Sequence, residues 1–158
     1  MATALFGMAS PSMANPIASP ALNAPVNVTG QITVVVLGLV TATCNITMTG
    51  TVTSVGTSTV PGVVTFTSGT ATDLPGKSDC NSSSTGAVSY PIIARATSTS
   101  VVTIDQLKLT TPIGTCTKNN ATVAWNNATA GGTISTNAGI CTSLTGTLQT
   151  VSNPIVIS

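Results

Sequence analysis

Few residues in this chain are able to do chemistry, and the types it lacks narrow the options most. Histidine and glutamate are absent, so general acid–base work would fall to Asp73, Asp79 and Asp105. Asp73 and Asp79 share the loop DLPGKSD, and with Asn81 they form an oxygen cluster of the kind that binds calcium. Calcium loops set three or more such ligands at short, regular steps, and these steps are not kept here, so a solvated loop is expected. The many serines have no base to activate them. No enzymatic activity, no metal and no cofactor are expected.

Cys44, Cys80, Cys116 and Cys141 contain no Cys-X-X-Cys pair and have no histidine to assist them. Zinc sites need closely spaced ligand pairs, so two disulfides formed in an oxidising compartment are the expectation. Three connectivities are open to four cysteines. Pairing neighbours, Cys44 with Cys80 and Cys116 with Cys141, is expected because each bridge then brackets a self-contained group of strands. The other reactive-looking stretch is VAWNNA, residues 123–128, which holds the single tryptophan. Trp125 shares a face with Ala121 and Val123, which points to a large core residue with Asn126 and Asn127 turning the chain.

The elements that position these side chains are strands. In TATCNITMTGTVT, residues 41–53, threonine or asparagine fills every odd position and small or apolar residues the even ones. Successive side chains of a strand point to opposite faces, so this period marks one buried and one exposed face. Residues 26–53 read as one or two long strands, and further strands follow at 63–72, 87–96, 101–109, 121–128, 132–136 and 144–151. No stretch keeps a helical period. The expected fold is all-β, an antiparallel sandwich of Ig-like or jelly-roll type over residues 28–158. Val34, Val36, Ile46, Met48, Phe66 and Trp125 are its expected core.

Residues 1–27 carry Pro11, Pro16, Pro20 and Pro25 and read as an N-terminal extension in which neither a helix nor a central strand can run. Its start resembles the tail of a secretion signal but lacks a basic leader, so it is expected to belong to the mature chain. Ala2, Ala4, Phe6 and Met8 fall on one face of a short strand that could be donated to a neighbouring copy.

Composition excludes other classes. The net charge of +1 is too thin to hold a phosphate backbone, so nucleic acid is not a partner. The apolar run Val34 to Val40 is far short of the ~20 residues of a membrane-spanning helix. At 42% hydrophobic residues with clear periodicity, the chain is not disordered. So few charges suit a surface hydrated by hydroxyls or covered by copies of itself.

The cysteine that opens an alternating strand (Cys44 to Gly50), Cys80 after a Gly/Ser loop, Cys116 ahead of WNNA (Trp125 to Ala128) and Cys141 ahead of TGTL (Thr145 to Leu148) resemble the PraB-like proteins, known as alkane oxidation protein activators. The resemblance covers about residues 28–157, with Tyr90-Pro91 standing where a Pro-Trp pair is expected. It implies a small, non-enzymatic bacterial protein of the cell surface and biofilm matrix that helps hydrocarbon uptake. Two functions are open. The leading expectation is the subunit of an extracellular filament, polymerising with copies of itself by donor-strand exchange through the N-terminal extension. The alternative is a secreted monomer that takes a hydrocarbon or surfactant-like ligand into an apolar cleft.

Overall fold

The computed structural model describes residues 15–75, 80, 87–111 and 113–158. Its strands are β1 (Ile17–Ser19), β2 (Pro25–Val36), β3 (Val40–Ser54), β4 (Val63–Asp73), β5 (Ala87–Val88), β6 (Ile92–Ser98), β7 (Val101–Thr111), β8 (Gly114–Asn126), β9 (Gly131–Ala138), β10 (Cys141–Ser152) and β11 (Val156–Ile157). The alternating stretch 41–53 lies within β3. Ala42, Cys44, Ile46, Met48 and Val52 are buried, and Thr47, Thr49, Thr51 and Thr53 are exposed. Gly38 divides the long run before it into two strands. Leu37 and Gly38 take φ of 51° and 69°, and the Leu39 N–H donates to the Val36 carbonyl at 2.9 Å. Two successive left-handed residues make the type I′ turn whose twist matches a tight hairpin.

The expected sandwich is replaced by a barrel. Each long strand lies antiparallel to the long strand before it, and β10 returns to pair with β2 from Cys141↔Val36 to Ser152↔Asn27. The order β2-β3-β4-β6-β7-β8-β9-β10 therefore closes on itself. Inward–outward alternation is the same in a sandwich and a barrel, so only the partner of the last strand tells them apart.

Closure is tighter at one end than at the other. β8 pairs with β9 only from Val123↔Ile134 to Asn126↔Gly131, although β8 runs on to Gly114 beside β7 and β9 to Ala138 beside β10. Likewise β4 meets β6 only over Val63–Phe66, while β4 continues to Asp73 beside β3. At this end the wall splays into two facing layers, β4-β3-β2-β10-β9 and β5-β7-β8. The opposite end is plugged. β1 pairs with β11, Ile17↔Ile157, and Ile17, Ile155 and Ile157 are buried. The Ile17 N–H donates to the Val55 carbonyl at 2.7 Å, and the Ser158 N–H to the Pro16 carbonyl at 3.0 Å. The boundary expected between residues 27 and 28 falls within β2. Ala2, Ala4, Phe6 and Met8 lie outside the described residues.

Both disulfides have the expected partners and sit at the splayed end. Cys44–Cys80 ties β3 to the loop after β4, and Cys116–Cys141 ties β8 to β10 across the gap beside β9, with Cα atoms 5.6 and 5.5 Å apart. The Asp73 carboxylate accepts a hydrogen bond from the Cys80 N–H at 2.5 Å, so that acid braces the disulfide loop. Asp79 and Asn81, its supposed co-ligands, lie outside the described residues.

The Cys116–Cys141 bridge closes a loop of 25 residues, for which chain entropy gives about 3.5 kcal/mol. Replacing both cysteines by serine should lower the unfolding free energy in urea by about that amount. A loss below ~1 kcal/mol would mean that other contacts hold the gap.

Candidate functional site

Eight inward strand faces meet around an apolar cavity of about 80 Å³. Every barrel strand contributes to its wall: Ile32 from β2, Ile46 from β3, Phe66 from β4, Ala94 from β6, Ile104 from β7, Val123 from β8, Ile134 from β9 and Leu144 from β10. Ile17, Ile155 and Ile157 of the plug complete it. Of the expected core, Ile46, Met48, Phe66 and Trp125 line the cavity, whereas Val34 and Val36 are buried beyond it. Among the described residues no charged side chain lines it.

Among the described residues, one ion pair stands on the outer wall. Arg95 on β6 and Asp105 on β7 form a bidentate pair, Nε to Oδ1 and Nη2 to Oδ2, each 2.7 Å. The hydrogen bond to Asp105 holds the Arg95 guanidinium above its ordinary pKa, and partial burial pushes the Tyr90 phenol up. Threonine hydroxyls pair across much of the remaining outer wall. Thr33 meets Thr43 at 3.0 Å, Thr47 meets Thr70 at 2.6 Å, Thr53 meets Thr65 at 3.0 Å and Thr97 meets Thr103 at 3.1 Å. Threonine suits a pleated surface and pairs across strands without like-charge repulsion. This sorting, apolar within and hydroxyl without, is the reverse of a membrane barrel with its lipid-facing apolar band. The described residues hold no helix long and apolar enough to cross a membrane.

The stretch VAWNNA joins the cavity to its plug. Trp125 is 8% exposed and lines the cavity. It pairs with Gly132 on β9, where a Cβ would stand 2.6 Å from Val123 Cγ1 and 3.0 Å from Trp125 Cε3. Glycine there makes the seat for the indole. Asn126 turns the chain as expected, its Oδ1 accepting from the Ala128 N–H at 2.9 Å. Asn127 does something a local reading misses. Its Nδ2 donates to the Ile157 carbonyl at 2.7 Å, and its Oδ1 accepts from the Ile157 N–H at 3.0 Å. One side chain thus satisfies both backbone groups of Ile157 in the plug strand. The plug itself also goes unpredicted, although Asn-Pro-Ile occurs at 15–17 and again at 153–155, in the two segments that come together.

Fold and site together define a small antiparallel barrel built around an apolar cavity. A family profile described as alkane oxidation protein activator PraA/PraB-like matches residues 1–157, and the chain belongs to that family. No curated protein and no solved structure matches it.

Asn127→Ala should cost about 2 to 3 kcal/mol, because it strands a buried N–H and a buried carbonyl together. Amide exchange at Ile157 should rise before exchange in β3 does. Equal acceleration across the barrel would contradict a clamp confined to the plug. Gly132→Ala, which pushes a methyl into Val123 and the indole, should destabilise by about 1 to 3 kcal/mol.

Proposed function

We propose that this protein is a secreted, non-enzymatic binding module that takes an aliphatic chain into its barrel and thereby aids hydrocarbon uptake ahead of alkane oxidation. The observation that carries this reading is the cavity, whose walls are apolar on all eight strands. Apolar cavities stay dry, and one of ~150 Å³ takes up benzene. A cavity of about 80 Å³ takes a few carbons of such a chain, and the remainder extends toward the splayed end. The splayed end, where β8 and β9 part, is the route inward. Family membership supports a hydrocarbon-related role, and the two disulfides support an oxidising, extracellular setting. The sparse catalytic inventory supports a binding role over an enzymatic one.

A second reading, the filament subunit, has one footing: the ladder groups of β8 and β9 beyond the last shared pair face a gap rather than each other, and such edges accept added strands. It is the lesser reading. The later part of the N-terminal extension is used within the chain's own fold, Ile17 against β11 and Pro25 to Asn27 in the ladder of β2 with β3, while the expected donor residues Ala2, Ala4, Phe6 and Met8 lie outside the described residues. Donation would fall to residues before Asn15. The closed barrel also leaves no full-length groove between sheets.

Titrating the protein with hexane, read by calorimetry and by the fluorescence of its single tryptophan, should give saturable one-to-one binding. Ala94→Leu, which fills part of the cavity, should weaken it about tenfold, the equivalent of roughly two buried methylenes. Absence of saturable binding, or an unchanged affinity in Ala94→Leu, would refute the interior site. Sedimentation should show a monomer at micromolar concentration; fibres would favour the second reading.

A further inference from the structure

The turns at the splayed end carry aliphatic side chains that the described residues leave uncovered. Leu37, Leu39 and Val40 in the β2–β3 turn are 53%, 84% and 46% exposed, and Ile113 in the β7–β8 turn is 52% exposed. Single exposed leucines are ordinary, whereas a contiguous group marks an interaction surface. These residues are contiguous. The Leu37 N–H donates to the Ile140 carbonyl in the β9–β10 turn at 2.9 Å, and a Cβ at Gly114, next to Ile113, would stand 2.7 Å from Ile140 Cδ1. The β7–β8 turn opens β8 and the β9–β10 turn closes β9, and these are the two strands that part at this end. The apolar patch is therefore the rim of the route into the cavity.

Resting on the reading that the cavity holds an aliphatic chain, we infer that this rim seats the barrel on the surface of a liquid-alkane droplet, from which a chain passes into the cavity without crossing water. Three features select that occupant. The turns, LGLV at 37–40, IG at 113–114 and GI at 139–140, hold no charged and no aromatic residue, so they offer an anionic headgroup no counter-charge and a headgroup layer no amphipathic ring. They are also short. A two-residue turn projects by little more than its side chains, whereas the headgroups of a bilayer keep its hydrocarbon roughly 5 to 8 Å from the water on each side. A droplet presents hydrocarbon at its boundary. The rim is also convex, and the outer wall of a second copy would meet it with paired threonines such as Thr33–Thr43 and Thr47–Thr70, not with an apolar groove. A liquid needs no matching groove, because it yields to the shape that enters it. The benefit of docking lies in the rate of loading. Alkanes are sparingly soluble, and an alkane in the droplet has the same chemical potential as one in water saturated with it.

The test measures flotation of the full chain with hexadecane droplets. It compares the unmodified protein with the triple variant Leu37→Asn, Leu39→Thr, Ile113→Thr and with Val60→Asn, whose target is equally exposed in the β3–β4 loop beside the plug. Asparagine suits the left-handed backbone at position 37, where φ is 51°, and none of the four side chains lines the cavity. The triple variant should bind droplets about a hundredfold more weakly and Leu39→Thr alone about fivefold, as aliphatic side chains give up part of their burial in oil. Val60→Asn should bind as the unmodified protein does. Affinity for dissolved hexane, read by calorimetry, should be the same in all of them, which also reports that the variants fold. Equal loss in the triple variant and Val60→Asn, or loss in neither, would overturn the rim as the docking surface. Binding to phosphatidylcholine vesicles as tight as to droplets would overturn it in favour of a bilayer, and self-association in sedimentation that the triple variant abolishes would do so in favour of a second copy. If dissolved hexane fails to bind the unmodified protein while droplet binding still depends on the rim, the interior site falls and the docking surface stands.

Discussion

Closure of eight strands into one barrel is the constraint on which the rest of this structure depends. At that strand number the interior is just wide enough for side chains to fill it or to leave room for one small ligand. What happens depends on side-chain size. Here Ala94 and Ala96 stand on β6 facing larger residues on the other strands, and the faces fall short of meeting by about 80 Å³. A sandwich with the same alternation would have packed its two faces together. The plug is a second consequence of closure. An open barrel end exposes its apolar lining, and β1 with β11 covers it by placing Ile17, Ile155 and Ile157 inward. Asn127 links that cover to the strand that carries Trp125, so the seal and the cavity floor are one unit.

The exterior follows from a different requirement. With a net charge of +1 over 158 residues, the wall must be hydrated by something other than ions. Threonine on the outer face is compatible with β structure, and its hydroxyls bond across strands in pairs such as Thr33–Thr43 and Thr47–Thr70. The surface is therefore tied together by its own polar groups. At the splayed end the hydrogen-bond ladders stop early, and the two disulfides take over the work of holding the strands in place.

Legibility in the sequence tracked the distance over which each feature is encoded. The strand at 41–53 and the burial of Ile46, Met48, Phe66 and Trp125 follow from local period, and both cysteine pairings agree with the expectation that each bridge brackets its own group of strands. The barrel did not, because nothing in the alternation of β10 names β2 as its partner. The turn role expected of Asn127 is local, whereas its contact with Ile157 spans thirty positions. The cavity was illegible for a related reason. It exists only as the shortfall left when eight faces converge, and no single strand records that shortfall. The Asn-Pro-Ile at 15–17 and again at 153–155 is a long-range signal, since it marks the two segments that meet in the plug.

The proposed site holds an aliphatic chain inside this barrel, not on its surface. Isotope-filtered nuclear Overhauser spectroscopy with bound hexane tests it directly, because the inner and outer apolar groups belong to different residues. Contacts are predicted from the ligand to the Trp125 indole and to the methyls of Ile46, Ile104 and Ile134, which line the cavity. Contacts confined to Leu39 and Ile113, which are exposed at the splayed end, would contradict it.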